Sequence, residues 1–147
     1  MTKAIFPGTF DPFTIGHADI LNRAEKLFDE VVVAILDNPE KNEQTTASER
    51  KAAIEKITKS KVIIEPLDLA VNVAKKHGAE VIIRSLRDQK DYEYEKNIFK
   101  YNHELAPEIE TVFLLAQSEF EHISSSGVRE VKKYGGDFER YLPKGEL

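Results

Sequence analysis

Residues 4–17 read Ala4-Ile5-Phe6-Pro7-Gly8-Thr9-Phe10-Asp11-Pro12-Phe13-Thr14-Ile15-Gly16-His17. Ala4 to Phe6 is a short apolar run of the kind that forms a buried strand, and it stops at a proline–glycine turn. Gly16 lets the next helix start close to a ligand. His17 then falls in that helix's first turn, where free backbone N–H groups and the positive end of the helix dipole favour anions. Thr9 adds a hydroxyl and an N–H at the turn. The stretch therefore predicts the first strand–helix unit of an α/β fold, with an anion site at the junction.

Further short apolar runs follow at Val31 to Leu36, Val62 to Glu65, Val81 to Ile83 and Thr111 to Leu115. They are rich in β-branched residues and mostly apolar on both faces, which suits parallel strands buried under helices. Helical patterns fill the intervals. Ile20, Leu21, Ala24, Leu27 and Phe28 form one stripe, and Ala53, Ile54 and Ile57 a second. Leu69, Ala70, Val73 and Ala74 form a third, and Tyr94, Ile98 and Tyr101 support a fourth. Thr46-Ala47-Ser48-Glu49 reads as a capping box for the second helix. Ser124, Ser125 and Ser126 can cap a last helix that carries Val128 and Val131 on one side.

Strands alternating with helices predict a Rossmann-like, doubly wound five-stranded parallel sheet with helices on both faces. The expected strand order is 3-2-1-4-5. Strands one and four are then neighbours whose outgoing connections turn to opposite sides, and a ligand crevice opens at their carboxyl ends. We expect one domain over residues 1–147, with no internal repeat or linker.

The chain has 147 residues, 41% hydrophobic and 32% charged, an ordinary balance for a water-soluble domain. Its net charge of −5 argues against a general nucleic-acid binder. The absence of cysteine removes disulfides, thiolate nucleophiles and cysteine–zinc sites. No apolar run approaches a membrane span and no signal peptide is visible, so a cytoplasmic protein outside the membrane is expected.

The chemically useful residues fall at one position of the repeating unit. Thr9 and His17 follow strand one, Lys41 follows strand two, Arg84 and Arg87 follow strand four, and Ser124 to Ser126 follow strand five. In a parallel sheet all of them lie along the same crest. A lysine, two arginines, a histidine and a serine-capped helix then surround one crevice of an otherwise acidic protein, a polyphosphate site. No nucleophilic triad is evident. His17, His77, His103 and His122 lack metal-ligand spacing. The turn has neither the lysine–serine ending of a Walker loop nor three dinucleotide-type glycines. The chemistry suggested is phosphate transfer by positioning and electrostatics.

With these residues in place, the chain resembles the nucleotidyltransferase superfamily, whose histidine-x-glycine-histidine signature stands here as Thr14-Ile15-Gly16-His17. Within it the chain is similar to the bacterial phosphopantetheine adenylyltransferase family. The matching segments are FPGTFDPFTIGH (6–17), SER (48–50), IIRSLRDQKDYEYE (82–95), LAPEIETVFLLA (105–116) and ISSSGVREV (123–131), with GGD and YLP after them. The resemblance implies adenylyl transfer from ATP to 4′-phosphopantetheine, giving dephospho-coenzyme A and pyrophosphate. It also implies magnesium (Mg2+) accompanying the nucleotide, a homohexamer in the cytoplasm, and inhibition by coenzyme A.

By the same resemblance, Thr9 orients the attacking phosphate and touches ATP, and the Phe10 N–H lies near the nucleotide phosphates. His17 donates to the α-phosphate, and Lys41 bridges both substrates. Arg84 and Ala70 contact phosphopantetheine. Arg87 and Glu95 help bind ATP, with the backbone around Ser85 and Leu86. The segment Phe120, Glu121, His122, Ile123, Ser124, Ser125 and Ser126 wraps the nucleotide. The metal is carried by ATP's phosphates rather than by protein ligands.

Four features depart from the family pattern. Ser85 replaces a usual glycine, and Ala70 a bulkier apolar residue. Residues 41–46 are more polar than is common, and the chain stops soon after Leu142, short of the final helix of many relatives. Plainer readings stand beside the functional ones: Lys41 as a solvated loop lysine, Arg84 as a surface ion pair, and Arg87 as a partner for Asp88 or Asp91. Glu95 can be part of a helix face, the serines mere caps, and Tyr92 and Tyr94 core or subunit-contact residues. Two other functions compete: a related transferase for nicotinamide mononucleotide or glycerol 3-phosphate, and a non-catalytic binder of nucleotide or coenzyme A.

Overall fold

The computed structural model describes residues 1–38 and 45–145. Five strands alternate with helices: β1 (Lys3–Gly8), α1 (Ile15–Leu27), β2 (Glu30–Asp37), α2 (Ala47–Glu55), β3 (Lys61–Pro66), α3 (Ala70–Lys76), β4 (Val81–Leu86), α4 (Gln89–Leu105) and β5 (Glu110–Leu115). A 3-10 turn at Ser118–Phe120, helix α5 (Ser125–Lys133) and a second 3-10 turn at Phe138–Tyr141 complete the described chain. The strands form one parallel sheet in the order β3-β2-β1-β4-β5, as the alternation predicts.

The period-two placement of side chains builds two cores. Ala4, Phe6, Val31, Val33, Val81 and Ile83 point to one face, where Ile20, Leu21 and Ala24 of α1 and Ile54 of α2 cover them. Ile5, Val32, Ala34 and Ile82 point to the other, under Val71, Val73 and Ala74 of α3. The helix starts follow local chemistry. Thr46 caps α2, its hydroxyl accepting from the Glu49 N–H at 3.1 Å. Ser124 caps α5, accepting from the Gly127 N–H at 3.0 Å.

The helical stripes need correction. Leu27, Leu69, Tyr94 and Tyr101 are exposed, the two tyrosines by 64% and 66%. Ala53 is exposed as well, and Ile57 lies just beyond α2. Val71 does the packing for which Leu69 was expected. The fourth helix buries instead the polar pair Glu95 and Asn102. Among the described residues, no helix is long and apolar enough to cross a membrane.

Two local features shape the crest of the sheet. β1 and β2 stay paired through Gly8 and Ile35, whereas β1 and β4 pair only at Ala4–Val81 and Ile5–Ile82. The central strands therefore part toward their carboxyl ends, and the crevice opens between them. Beyond β1, Phe10 takes a left-handed backbone (φ 54°), unusual for a residue with a side chain. It drops its ring back over Gly8, where a Cβ would stand 2.8 Å from the ring's Cζ. Gly8 is thus required by the aromatic wedge. Gly8→Ala should destabilise the protein by about 1–3 kcal/mol through overpacking, read as a lower urea midpoint. An unchanged midpoint would show that the ring moves aside freely.

Candidate active site

The crevice holds about 430 Å³ and is lined by Thr9, His17, Arg84, Ser85, Arg87 and the serine run Ser124 to Ser126, together with Phe120 and Ile123. Residues from the three junctions that follow β1, β4 and β5 therefore meet in one place. Gly16 is on the same wall, where a Cβ would make only ordinary contact with Thr14 Oγ1 at 3.4 Å. Packing within the protein does not demand glycine there. The missing side chain leaves room on the crevice side.

His17 is fixed by its own helix cap. The Thr14 hydroxyl accepts from the His17 N–H at 3.2 Å, and the Thr14 N–H donates to His17 Nδ1 at 3.0 Å. This reciprocal capping box puts histidine where glutamate or glutamine usually stands. Because Nδ1 accepts, the neutral ring carries its proton on Nε2. Burial first, then the guanidinium groups of Arg87 and Arg84, lower its pKa from 6.5 to about 4. At neutral pH the ring is therefore an uncharged donor. In the free protein we expect its proton NMR titration midpoint near 4, with 6.5 as the contrary result. The stability linked to the neutral ring is complete above 6.5. It is lost as the pH falls toward 4, because the unfolded chain takes up the proton first.

Arg84 lies on β4 two residues past its last pair with β1, where the strand is still paired with β5. Its Nε donates to both Glu95 oxygens at 3.0 and 3.2 Å, and Nη2 donates to Glu95 Oε1 at 2.6 Å. Its Nη1 donates to the Pro7 carbonyl at 3.1 Å, across the gap where β1 and β4 have separated. Arg87 pairs with Asp91, with Nε 3.1 Å from Oδ2. Arg87 thus forms the ion pair of its plainer reading, whereas Arg84 pairs with a buried carboxylate rather than at the surface, and both line the crevice. The serines likewise have two settings: Ser124 caps α5, and the Ser125 hydroxyl donates to the Pro12 carbonyl at 2.8 Å. The Thr9 hydroxyl has no hydrogen-bond partner among the described residues. The N-termini of α1 and α5 both reach this space, so two helix dipoles and the guanidinium groups of Arg84, Arg87 and Arg129 give it a positive field.

Other expected contacts are placed elsewhere. Phe10 and Leu86 are buried outside the crevice lining. Glu95 is 6% exposed and joined to Arg84. Glu121 and His122 are exposed, and the His122 ring packs 6.4 Å from Tyr141. Ala70 packs against the second core, at the start of α3. Lys41 lies outside the described residues.

Three polar lining residues were not among the expected contacts. Thr14 sets the ring tautomer. Arg129, one turn beyond Ser125, donates to the Asp11 carbonyl at 2.6 Å. Asp11 is buried and accepts from the Thr45 hydroxyl at 2.8 Å, with Arg50 4.0 Å away. These partners lie far along the chain, so no local pattern announces them.

The cytidylyltransferase-like family matches residues 5–131. The phosphopantetheine adenylyltransferase of Lacticaseibacillus paracasei is 45% identical over 97% of this chain and 89% of that protein. That of Alkaliphilus metalliredigens is 43% identical over 98% and 94%. The fold recurs at lower identity. A bifunctional NMN adenylyltransferase/ADP ribose pyrophosphatase from Francisella tularensis superposes with a TM-score of 0.71 at 19% identity, over 96% of this chain and 44% of that one. A putative nicotinate-nucleotide adenylyltransferase from Vibrio parahaemolyticus gives 0.59 at 19%, over 98% and 95%. The near-full-length identity, carried by a chain that gathers the superfamily signature and the serine run at one crevice, shows that it belongs to the phosphopantetheine adenylyltransferase family.

Proposed function

We propose that this single-domain enzyme transfers the adenylyl group of ATP to 4′-phosphopantetheine, giving dephospho-coenzyme A and pyrophosphate. The observation that carries the reading is the convergence of Thr9, His17, Arg84, Arg87 and Ser124 to Ser126 on one positive crevice, in a chain of this family. An oxygen of the acceptor phosphate forms a bond to the α-phosphorus of ATP, and the bond to the bridging oxygen of pyrophosphate breaks. The attacking phosphate already carries its negative charge, so the step needs neither a general base nor a covalent enzyme intermediate.

The protein's part is to bring two polyanions together and to hold charge as it builds. His17 Nε2–H donates to an α-phosphate oxygen. Thr9 orients the attacking phosphate, and Lys41 bridges the substrates. Arg87 and the α5 N-terminus with its serines hold the outer phosphates. Ser85, Phe120 and Ile123 form the adjoining wall, and the backbone near Phe10, Leu86, Glu121 and His122 completes the nucleotide contacts. Arg84 uses its remaining N–H groups on the acceptor, with Ala70 toward the pantetheine arm. Glu95 acts through Arg84, because its carboxylate is occupied there.

Among the described residues, no group of three or more His, Asp or Glu side chains could hold a metal. In this reading Mg2+ arrives on ATP's phosphates, and no step is routed through a protein-bound ion. The reading also assigns a homohexamer in the cytoplasm, where ATP is abundant. Tyr94, Ile98, Tyr101 and Leu105, spaced along one exposed side of α4, offer an apolar face for subunit contact. Coenzyme A contains the body of the product and so fits the same site as an inhibitor.

The test is an acceptor panel with ATP and magnesium. kcat/KM for 4′-phosphopantetheine should exceed that for nicotinamide mononucleotide and glycerol 3-phosphate by at least about a hundredfold. Equal or better turnover of either alternative would reassign the acceptor.

A further inference from the structure

A second cavity, of about 480 Å³, lies beside the β1–α1 loop, between α2, α5 and the C-terminal segment. Its size falls within the roughly 300–1,000 Å³ of small-molecule sites. Its chemistry is unlike that of the crevice. Phe13, Ile57, Val128, Phe138 and Leu142 make a mainly apolar wall. The basic residues Lys56, Lys132 and Lys144 are exposed around it. Lys132 lies 5.1 Å from the centre of the Phe138 ring, which brings its charge to the apolar wall. Glu49 is the acidic residue of the lining besides Asp11, and Asp11 has Arg50 close by and accepts from Thr45. The cavity is thus cationic at its edge in a chain whose net charge is −5. Asp11 and Arg129 line both cavities, so they form the partition between them. Phe13 packs 5.3 Å from the His17 ring, beside that partition.

We propose that this second cavity binds a small amphiphilic organic anion, with an aliphatic body among Phe13, Ile57, Val128 and Leu142 and a carboxylate or phosphate held by the lysines. Both parts are needed. An inorganic anion leaves the apolar wall unfilled, and an uncharged hydrocarbon leaves the cationic edge without a partner. The site is separate from the nucleotide crevice, so its occupation does not depend on the proposed reaction.

Decanoate is the probe, with decanol as its uncharged counterpart and titration calorimetry as the readout. Decanoate should bind saturably, about tenfold more tightly than decanol, and saturating ATP should change its affinity by less than about twofold. Ala53 is an exposed lining residue of α2, and Ala53→Trp should fill the space and weaken decanoate at least about tenfold. The pair Lys56→Glu and Lys144→Glu should weaken decanoate about fivefold or more and leave decanol unchanged. These lysines are exposed, so the charge variant keeps the test decisive should the tryptophan variant misfold. Competition between decanoate and ATP would overturn the assignment by placing the anion in the crevice. Equal binding of decanol, indifference to the lysine changes, or no saturable binding would overturn it equally.

Discussion

Replacing His17 with alanine should lower kcat by about a hundred- to a thousandfold while changing the ATP dissociation constant less than about threefold. The reason lies in the tautomer. Thr14 donates its N–H to Nδ1, so the ring's only proton is on Nε2, and burial with Arg87 and Arg84 keeps the ring neutral. A neutral donor adds little to the binding of ground-state ATP in a crevice already supplied with guanidinium groups and two helix N-termini. It gains strength as negative charge gathers on the α-phosphate oxygens, so its effect is concentrated in the transition state. His17→Gln, whose amide can reach the Nε2 position, should recover part of the lost rate. Rapid-quench kinetics with an independent ATP titration separates these quantities. Unchanged kcat with a raised KM would assign His17 to ground-state binding.

Arg84→Met should cost about 3 kcal/mol of stability and remove acceptor-dependent turnover. Glu95 is almost fully buried and takes three contacts from this one guanidinium. Without Arg84 a carboxylate stays in the interior uncompensated, and the Pro7 carbonyl loses the donor that closes the end of β1. The double variant Arg84→Met with Glu95→Leu should regain most of the stability, since an apolar pair of similar size is tolerated there. It should remain inactive, because the acceptor phosphate has lost its cation. Urea unfolding of the single and double variants tests this. A single variant as stable as the parent would show that Glu95 is solvated or otherwise paired.

The sheet was legible because its strands are apolar on both faces and separated by helical spacing. The short runs around Ile5, Val33 and Ile82 admit few other folds. The site was legible for the same reason: parallel strands bring every outgoing loop to one crest, which unites Thr9, His17, Arg84 and the serine run. Periodicity failed where it could not distinguish inside from outside. Tyr94, Ile98 and Tyr101 repeat as a buried stripe would, yet the helix turns them outward and buries Glu95. That choice follows from the bidentate bond to Arg84, eleven residues earlier, which outweighs the usual exposure of a carboxylate. Asp11 and Arg129 were hidden because their contacts join distant segments. The second cavity was hidden because its walls come from four separate parts of the chain.

The most direct test is pyrophosphate release with magnesium, ATP and 4′-phosphopantetheine, with the second product identified by mass. Release that requires the acceptor and matches dephospho-coenzyme A mole for mole is the expected result. A folded protein that binds ATP and releases no pyrophosphate, or releases it equally without acceptor, would contradict adenylyl transfer to phosphopantetheine.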